Sequence, residues 1–174
     1  MAIRLLLTLC LILSITACKR RRPAAQETEE ESPRLSSIVH VSDPRTSSQL
    51  ISGWHDIEQN SWRWTSGKFS VMLRPPRRAA EDGAMLWLRF AIPAPVIAKL
   101  KAVALSATVN GAMPLPAESY TQSGDFVYTR AVPPRVLGGE SVRIDFSLDK
   151  SLAATETDHR ELGIVVTAVG LESK

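Results

Sequence analysis

Val142-Arg143-Ile144-Asp145-Phe146-Ser147-Leu148-Asp149 is the stretch that decides the fold. Apolar and polar residues alternate through all of it, and successive side chains on a strand point to opposite faces. Val142, Ile144, Phe146 and Leu148 should face a core, and Arg143, Asp145, Ser147 and Asp149 should face water. The same period recurs on either side of this stretch. Phe69, Val71 and Leu73 share a face within 66–74, with Lys68, Ser70, Met72 and Arg74 on the other. Leu86, Leu88, Phe90 and Ile92 share a face within 85–92. Val103, Leu105, Ala107 and Val109 alternate with Ala102, Ala104, Ser106 and Thr108. Asn110-Gly111 follows, a pair that tolerates positive φ and suits a tight hairpin turn. Residues 163–171 are almost continuously apolar, which predicts a strand buried on both faces.

Breaks fall between these runs at Pro75-Pro76, Asp82-Gly83, Pro93, Pro95, Pro114, Pro116, Ser123-Gly124, Pro133-Pro134 and Gly138-Gly139. Short strands separated by such punctuation predict an all-β, antiparallel β-sandwich of eight or nine strands, with jelly-roll or immunoglobulin-like Greek-key connections. No segment has long helical periodicity. One helical turn is expected within 96–103 and another within 151–157.

The chain has 174 residues, 44% hydrophobic and 22% charged, which suits one globular domain. Two cysteines exclude a disulfide scaffold, and three histidines without paired cysteines disfavour a structural zinc site. Of the net charge of +3, residues 1–34 carry +2. The remaining 140 residues hold 15 basic and 14 acidic groups. So balanced a domain lacks the clustered basic face that nucleic acid requires, and no nucleic-acid partner is expected.

Met1-Ala2-Ile3-Arg4 precedes an apolar run from Leu5 to Ile15, the pattern of a secretory signal. From Leu5 to Cys18 is 14 residues, against roughly 20 needed to span a bilayer as a helix. Ile15-Thr16-Ala17-Cys18 resembles the bacterial lipobox. The resemblance implies cleavage before Cys18 and acylation of that cysteine, with palmitate or similar chains. Each buried methylene contributes about 0.8 kcal/mol to anchorage. Lys19 to Arg22 set four positive charges on the flank where they oppose export. If retained there, they would attract anionic head groups. Under the resemblance, Lys19 in place of an aspartate implies outer-membrane sorting in a bacterial envelope. Cys10 lies in the leader, so the mature chain has no pair for a disulfide. Residues 18–36, with Glu27, Glu29, Glu30, Glu31, Pro33 and Arg34, are too polar to offset their ordering entropy and predict a flexible stalk. The expected organisation is a signal peptide over 1–17, a lipidated stalk over 18–36 and a β-sandwich over 37–174.

Three of the four tryptophans fall in Gly53-Trp54-His55-Asp56-Ile57-Glu58 and Ser61-Trp62-Arg63-Trp64-Thr65. Trp62 and Trp64 should share a strand face, with Arg63 on the other. Trp87 and Arg89 should lie opposite the core face of their strand. The order of Gly53, Trp54 and Glu58, then Trp62-Arg63-Trp64, then Val109-Asn110-Gly111, then Asp158, Arg160, Glu161, Leu162 and Gly163 resembles small bacterial β-sandwich domains. Those domains occur alone or attached to glycosyltransferases and other envelope-polysaccharide proteins, and they look like carbohydrate-binding modules. The resemblance spans about residues 49–171 and implies fold more than activity.

Two readings of the cluster stand side by side. In the first, tryptophan faces stack on sugar rings while Glu58, Arg63, Asp158 or Arg160 hold hydroxyls. Trp87, with Arg89 beside it, is then the best candidate for an exposed platform. In the second, Trp54, Trp62 and Trp64 fill the core, and the charged residues form ion pairs closing one end of the sandwich.

Catalysis is not expected. Asp56 and Glu58 have no identified acid partner, no serine sits in a G-x-S-x-G elbow, and the mature cysteine is acylated. A metal site from His55, Asp56 and His159 is conceivable, but isolated surface histidines are far commoner, and neither metal nor cofactor is expected. The sequence thus predicts a membrane-anchored envelope lipoprotein with a non-catalytic binding domain for glycan or polysaccharide. The alternatives are a protein-interaction or scaffolding module with an envelope protein partner, and an anchor facing the cytoplasm held by Lys19 to Arg22.

Overall fold

The computed structural model describes residues 35–174. The expected signal peptide, Cys18, the Lys19 to Arg22 run and the expected stalk up to Arg34 lie outside the described residues. Nine strands follow in order: β1 (Ile38–His40), β2 (Leu50–Glu58), β3 (Trp62–Leu73), β4 (Ala84–Ile92), β5 (Val103–Val109), β6 (Met113–Tyr120), β7 (Gly124–Val132), β8 (Val142–Leu148) and β9 (Val165–Ser173). Every pairing is antiparallel, in the order β6-β5-β8-β3-β9-β4-β7, with β1 added to β9 and β2 to β3.

The long strand β3 makes the sandwich. Residues 68–73 of β3 pair with β8, whereas Arg63 and Trp64 pair with β9. One strand therefore belongs to both half-sheets, and the sheet folds over along it. The inner face is the one the alternation predicts. Phe69, Val71 and Leu73, then Leu86, Leu88, Phe90 and Ile92, then Val142, Ile144 and Phe146 are all buried. Phe69 stacks on Phe146 at 4.9 Å. Tyr128 of β7 meets Phe146 of β8 edge-on at 6.5 Å, and Phe90 of β4 meets Tyr120 of β6 at 5.2 Å, so rings from the two half-sheets close on one another. Such T-shaped pairs add about 0.5–1.5 kcal/mol each beyond the area they bury.

The Asn110-Gly111 turn forms with φ of +51° and +67°. The Asn110 side chain accepts the Arg143 N–H at 2.9 Å and so joins the turn to β8. The expected helical turn near 96 is the helix Ala94–Leu100, opened by Pro93 and Pro95. The one expected over 151–157 does not form. There the backbone of Leu152 exchanges hydrogen bonds with Leu162 at 2.8 and 2.9 Å, and Thr155 N–H donates to the Asp158 carbonyl. These cross-loop bonds take the groups a helix would have used. Ser36 is already tied in: buried Gln49 accepts its N–H, and the Gln49 amide donates to the carbonyls of Ser36 and Met72.

Candidate functional site

Strand register collects the site. Residues opposite one another on antiparallel strands share a face. Ile38, Gly170, Trp87 and Thr129 form one row across β1, β9, β4 and β7. His40, Ala168, Arg89 and Val127 form the next. Trp64, Val165, Ala91 and Asp125 form the third, with β3 now in place of β1. All three rows lie on the outer face of this half-sheet, because Leu86, Leu88 and Phe90 occupy the inner one. Trp62 is two residues from Trp64 on the same face, opposite Glu58 across the β2–β3 hairpin. That hairpin turns through Gln59 and Asn60, both at positive φ.

Glu58 leads into a charged network. Arg160 donates to Glu58 at 2.8 Å and grips both oxygens of Asp158 at 2.9 Å. These side chains are more than one-third exposed, so the pairs contribute little to stability individually, and the bidentate fork mainly fixes geometry. Hydrogen bonds from the Arg160 side chain, and then from its backbone N–H, hold the Asp158 carboxyl at about 2, below its ordinary value near 3.9. A lowered folded-state value contributes stability above about pH 4 that is lost as pH falls toward 2. The wild type should therefore lose more stability between pH 4 and pH 2 than Asp158→Asn, measured by thermal unfolding across that interval. Asp43, held near the same value by Arg45, titrates in both proteins and cancels in the comparison. Equal losses in the two proteins would rule out the Arg160 pairing as the cause.

Seven of the nine expected positions thus share one side or its rim: Trp62, Trp64, Trp87, Arg89, Glu58, Asp158 and Arg160 lie on the outer face or beside it, whereas Trp54 and Arg63 are not brought to the face. Trp54 sits opposite Thr65 on the inward side, meets Phe69 edge-on at 5.1 Å and donates its indole N–H to the Ser70 carbonyl. Arg63 donates to the carbonyls of Val41 and His55, stitching β2 to the end of β1. Irregular pairing between Ser52, Trp54 and Ile57 sets this parity. Of the charged residues that the second sequence reading pairs, Glu58, Asp158 and Arg160 do form ion pairs, whereas Arg63 takes no part in them.

Trp87 corrects an expectation. It lies on the outer face, as predicted, but is only 8% exposed and is no open platform. Its ring covers Gly170 so closely that a Cβ there would stand 2.6 Å from it, and Ile38 crowds the same glycine. The Arg89 guanidinium lies over the ring at 5.1 Å, a cation–π contact. The Trp87 indole N–H has no acceptor among the described residues.

Asp125, Val127 and Ile38 are not among the residues the sequence points to. The alternation of Asp125, Val127 and Thr129 was a readable signal, but their position beside Arg89 depends on β4–β7 register. A depression of about 290 Å³ opens here, lined by Arg89, Phe90, Asp125, Phe126, Val127 and Thr167. Among the described residues no three His, Cys, Asp or Glu side chains gather as metal ligands, and His55 hydrogen-bonds the Glu161 carbonyl instead.

No family model matches the chain, and no curated protein matches it. Among solved structures, it is similar to TmCBM27, a carbohydrate-binding module with specific mannan recognition, at 15% identity and a TM-score of 0.46, over 80% of this chain and 97% of that one. It is also similar to the CBM36-1 domain of a multidomain xylanase from the hindgut metagenome of Trinervitermes trinervoides, at 12% identity and a TM-score of 0.44, over 79% and 96%. A CBM4 structure matches at 11% identity and a TM-score of 0.36, over 83% and 90%. At these identities and scores the likeness decides neither ligand nor site.

Proposed function

We propose that this protein is a glycan-binding lipoprotein of the bacterial cell envelope, non-catalytic, with its site on the outer face of β3, β9, β4 and β7. The carrying observation is the gathering of Trp62, Trp64, Trp87 and Arg89 on one face, with the Glu58–Arg160–Asp158 network at its rim. Trp62 and Trp64 are half-buried, so indole surface remains for the apolar C–H face of a sugar. Buried Trp87 supports Arg89 from below. Charged forks at the rim suit ring hydroxyls.

Full-length protein in detergent micelles, titrated with a panel of polysaccharides, should give a saturable change in tryptophan fluorescence. Trp62→Ala should weaken binding at least tenfold, about 1.4 kcal/mol, with the fold retained. Trp62 is the better choice because Trp64 also packs against the core. An unchanged affinity in Trp62→Ala would overturn this placement of the site.

The envelope part of the reading rests on the signal pattern and on Cys18. Wild type expressed in a bacterium should incorporate labelled palmitate and partition into a detergent phase, and Cys18→Ala should do neither. Equal partitioning of the two would exclude the lipid anchor. Exposed Ile38 and Val127 on the same face favour, as a second reading, an envelope protein partner. A silent glycan panel together with a crosslink lost in Val127→Asp would support it.

A further inference from the structure

We propose that Arg89 and Asp125 form a subsite that holds the hydroxyl edge of a single neutral sugar ring, and that Asp125 makes the face reject uronate-bearing glycans. The inference rests on the glycan-binding reading above and deepens it.

Arg89 stands opposite Val127 on β7, and Asp125 is two residues from Val127 on the same face. Such diagonal neighbours lie about 7–8 Å apart, within reach of a long side chain. An arginine and an aspartate so placed would ordinarily form an ion pair. Here they do not: among the described residues, neither side chain has an ion-pair partner. The reason is geometric. The Arg89 guanidinium lies back over Trp87, in the direction away from Asp125. The β4–β9 register breaks between Arg89 and Phe90, where Thr167 is an extra residue on β9, so a bulge of the neighbouring strand lies beside Arg89. The Thr167 hydroxyl donates to the Arg89 carbonyl at that point. Both charged residues line the depression, and Val127, 54% exposed, is part of its apolar lining.

The two side chains are chemically complementary. Arginine has five N–H donors and no acceptor, and an ionised aspartate accepts only. Adjacent sugar hydroxyls both donate and accept, so one ring edge satisfies both groups at once. Its C–H face would rest on Val127. A carboxylated ring would meet Asp125 instead. The charges named on this face, Arg89 and Arg160 against Glu58, Asp158 and Asp125, sum to minus one, so polyanions gain no general attraction.

The test uses full-length protein in detergent micelles, with dextran, galactomannan and laminarin as neutral probes and polygalacturonate as the anionic one. Wild type should bind at least one neutral probe and not polygalacturonate. Arg89→Gln and Asp125→Asn should each weaken the neutral interaction about tenfold, and Asp125→Asn should gain measurable affinity for polygalacturonate. Arg89→Lys keeps a cation over Trp87 but loses the fork, so a similar loss there separates recognition from packing. Circular dichroism checks the fold of each variant. If Arg89→Gln and Asp125→Asn bind within twofold of wild type while Trp62→Ala does not, the subsite is wrong and the glycan reading stands. Wild-type preference for polygalacturonate would also overturn the subsite. If folded wild type binds none of the four probes, the glycan reading fails for them, and the subsite with it.

Discussion

Phe146→Ala should cost about 3–5 kcal/mol of folding stability, the range for truncating a buried aromatic. Phe146 is 1% exposed and sits mid-strand in β8, between Ala107 of β5 and Phe69 of β3. Its ring stacks on Phe69 and meets Tyr128 from the opposing half-sheet. Truncation would therefore open a cavity between the two layers, and the flanking strands, held by ladders on both sides, could collapse into it only partly. Domains have about 5–15 kcal/mol in total, so the variant should unfold at much lower urea, with an unchanged slope. Ser147→Ala, one residue on and facing outward, should stay within about 0.5 kcal/mol of wild type. A Phe146→Ala cost below about 1 kcal/mol would mean that the half-sheets are not closed over this ring.

Gly53→Ala should be comparably damaging, at about 3 kcal/mol or more, although it adds a single methyl group. Gly53 has a φ of +75° and lies in the irregular part of the β2–β3 pairing. A Cβ there would collide with the Lys68 carbonyl oxygen and stand 2.7 Å from the Phe69 Cα. Both obstacles are backbone of the strand shared by the half-sheets, so neither can swing aside. Relief would require β2 to lift from β3, which would disturb the Trp54 bond to Ser70 next to it. Gly111→Ala is the control. Its φ of +67° imposes similar conformational strain, but nothing lies within 4 Å, so about 1 kcal/mol is expected. Urea unfolding of the two variants side by side separates strain from collision. Equal costs would show that the close approach at Gly53 is not present in solution.

The residues of the core were legible because burial imposes a period on the strand itself. Val142, Ile144 and Phe146 needed no partner to declare their face, and neither did Leu86, Leu88 and Phe90. The Asn110-Gly111 turn was equally local. The helical turn expected over Leu152 and Thr155 does not form because their hydrogen-bond partners, Leu162 and Asp158, sit across a loop. A short apolar and polar stretch carries no sign of such bonds.

The candidate site was legible in its members but not in its arrangement. Spacing alone puts Trp62 and Trp64 on one face, and alternation puts Trp87 and Arg89 opposite their own core face. That Trp64 and Arg89 lie in adjacent rows depends on β9 joining β3 to β4, a meeting of segments far apart in the chain.

What the sequence by itself determined, then, is the strand pattern and which side of each regular strand faces inward, because alternation and hydrophobic burial act residue by residue. Tertiary structure decided which outward residues are uncovered. Gly170 lets Trp87 lie flat and disappear, and the irregular β2 pairing turns Trp54 inward, while Arg63 is held by the carbonyls of Val41 and His55. Exposure depends on the side chain in the next strand, and that neighbour is chosen by register and bulges, which one strand's sequence does not specify.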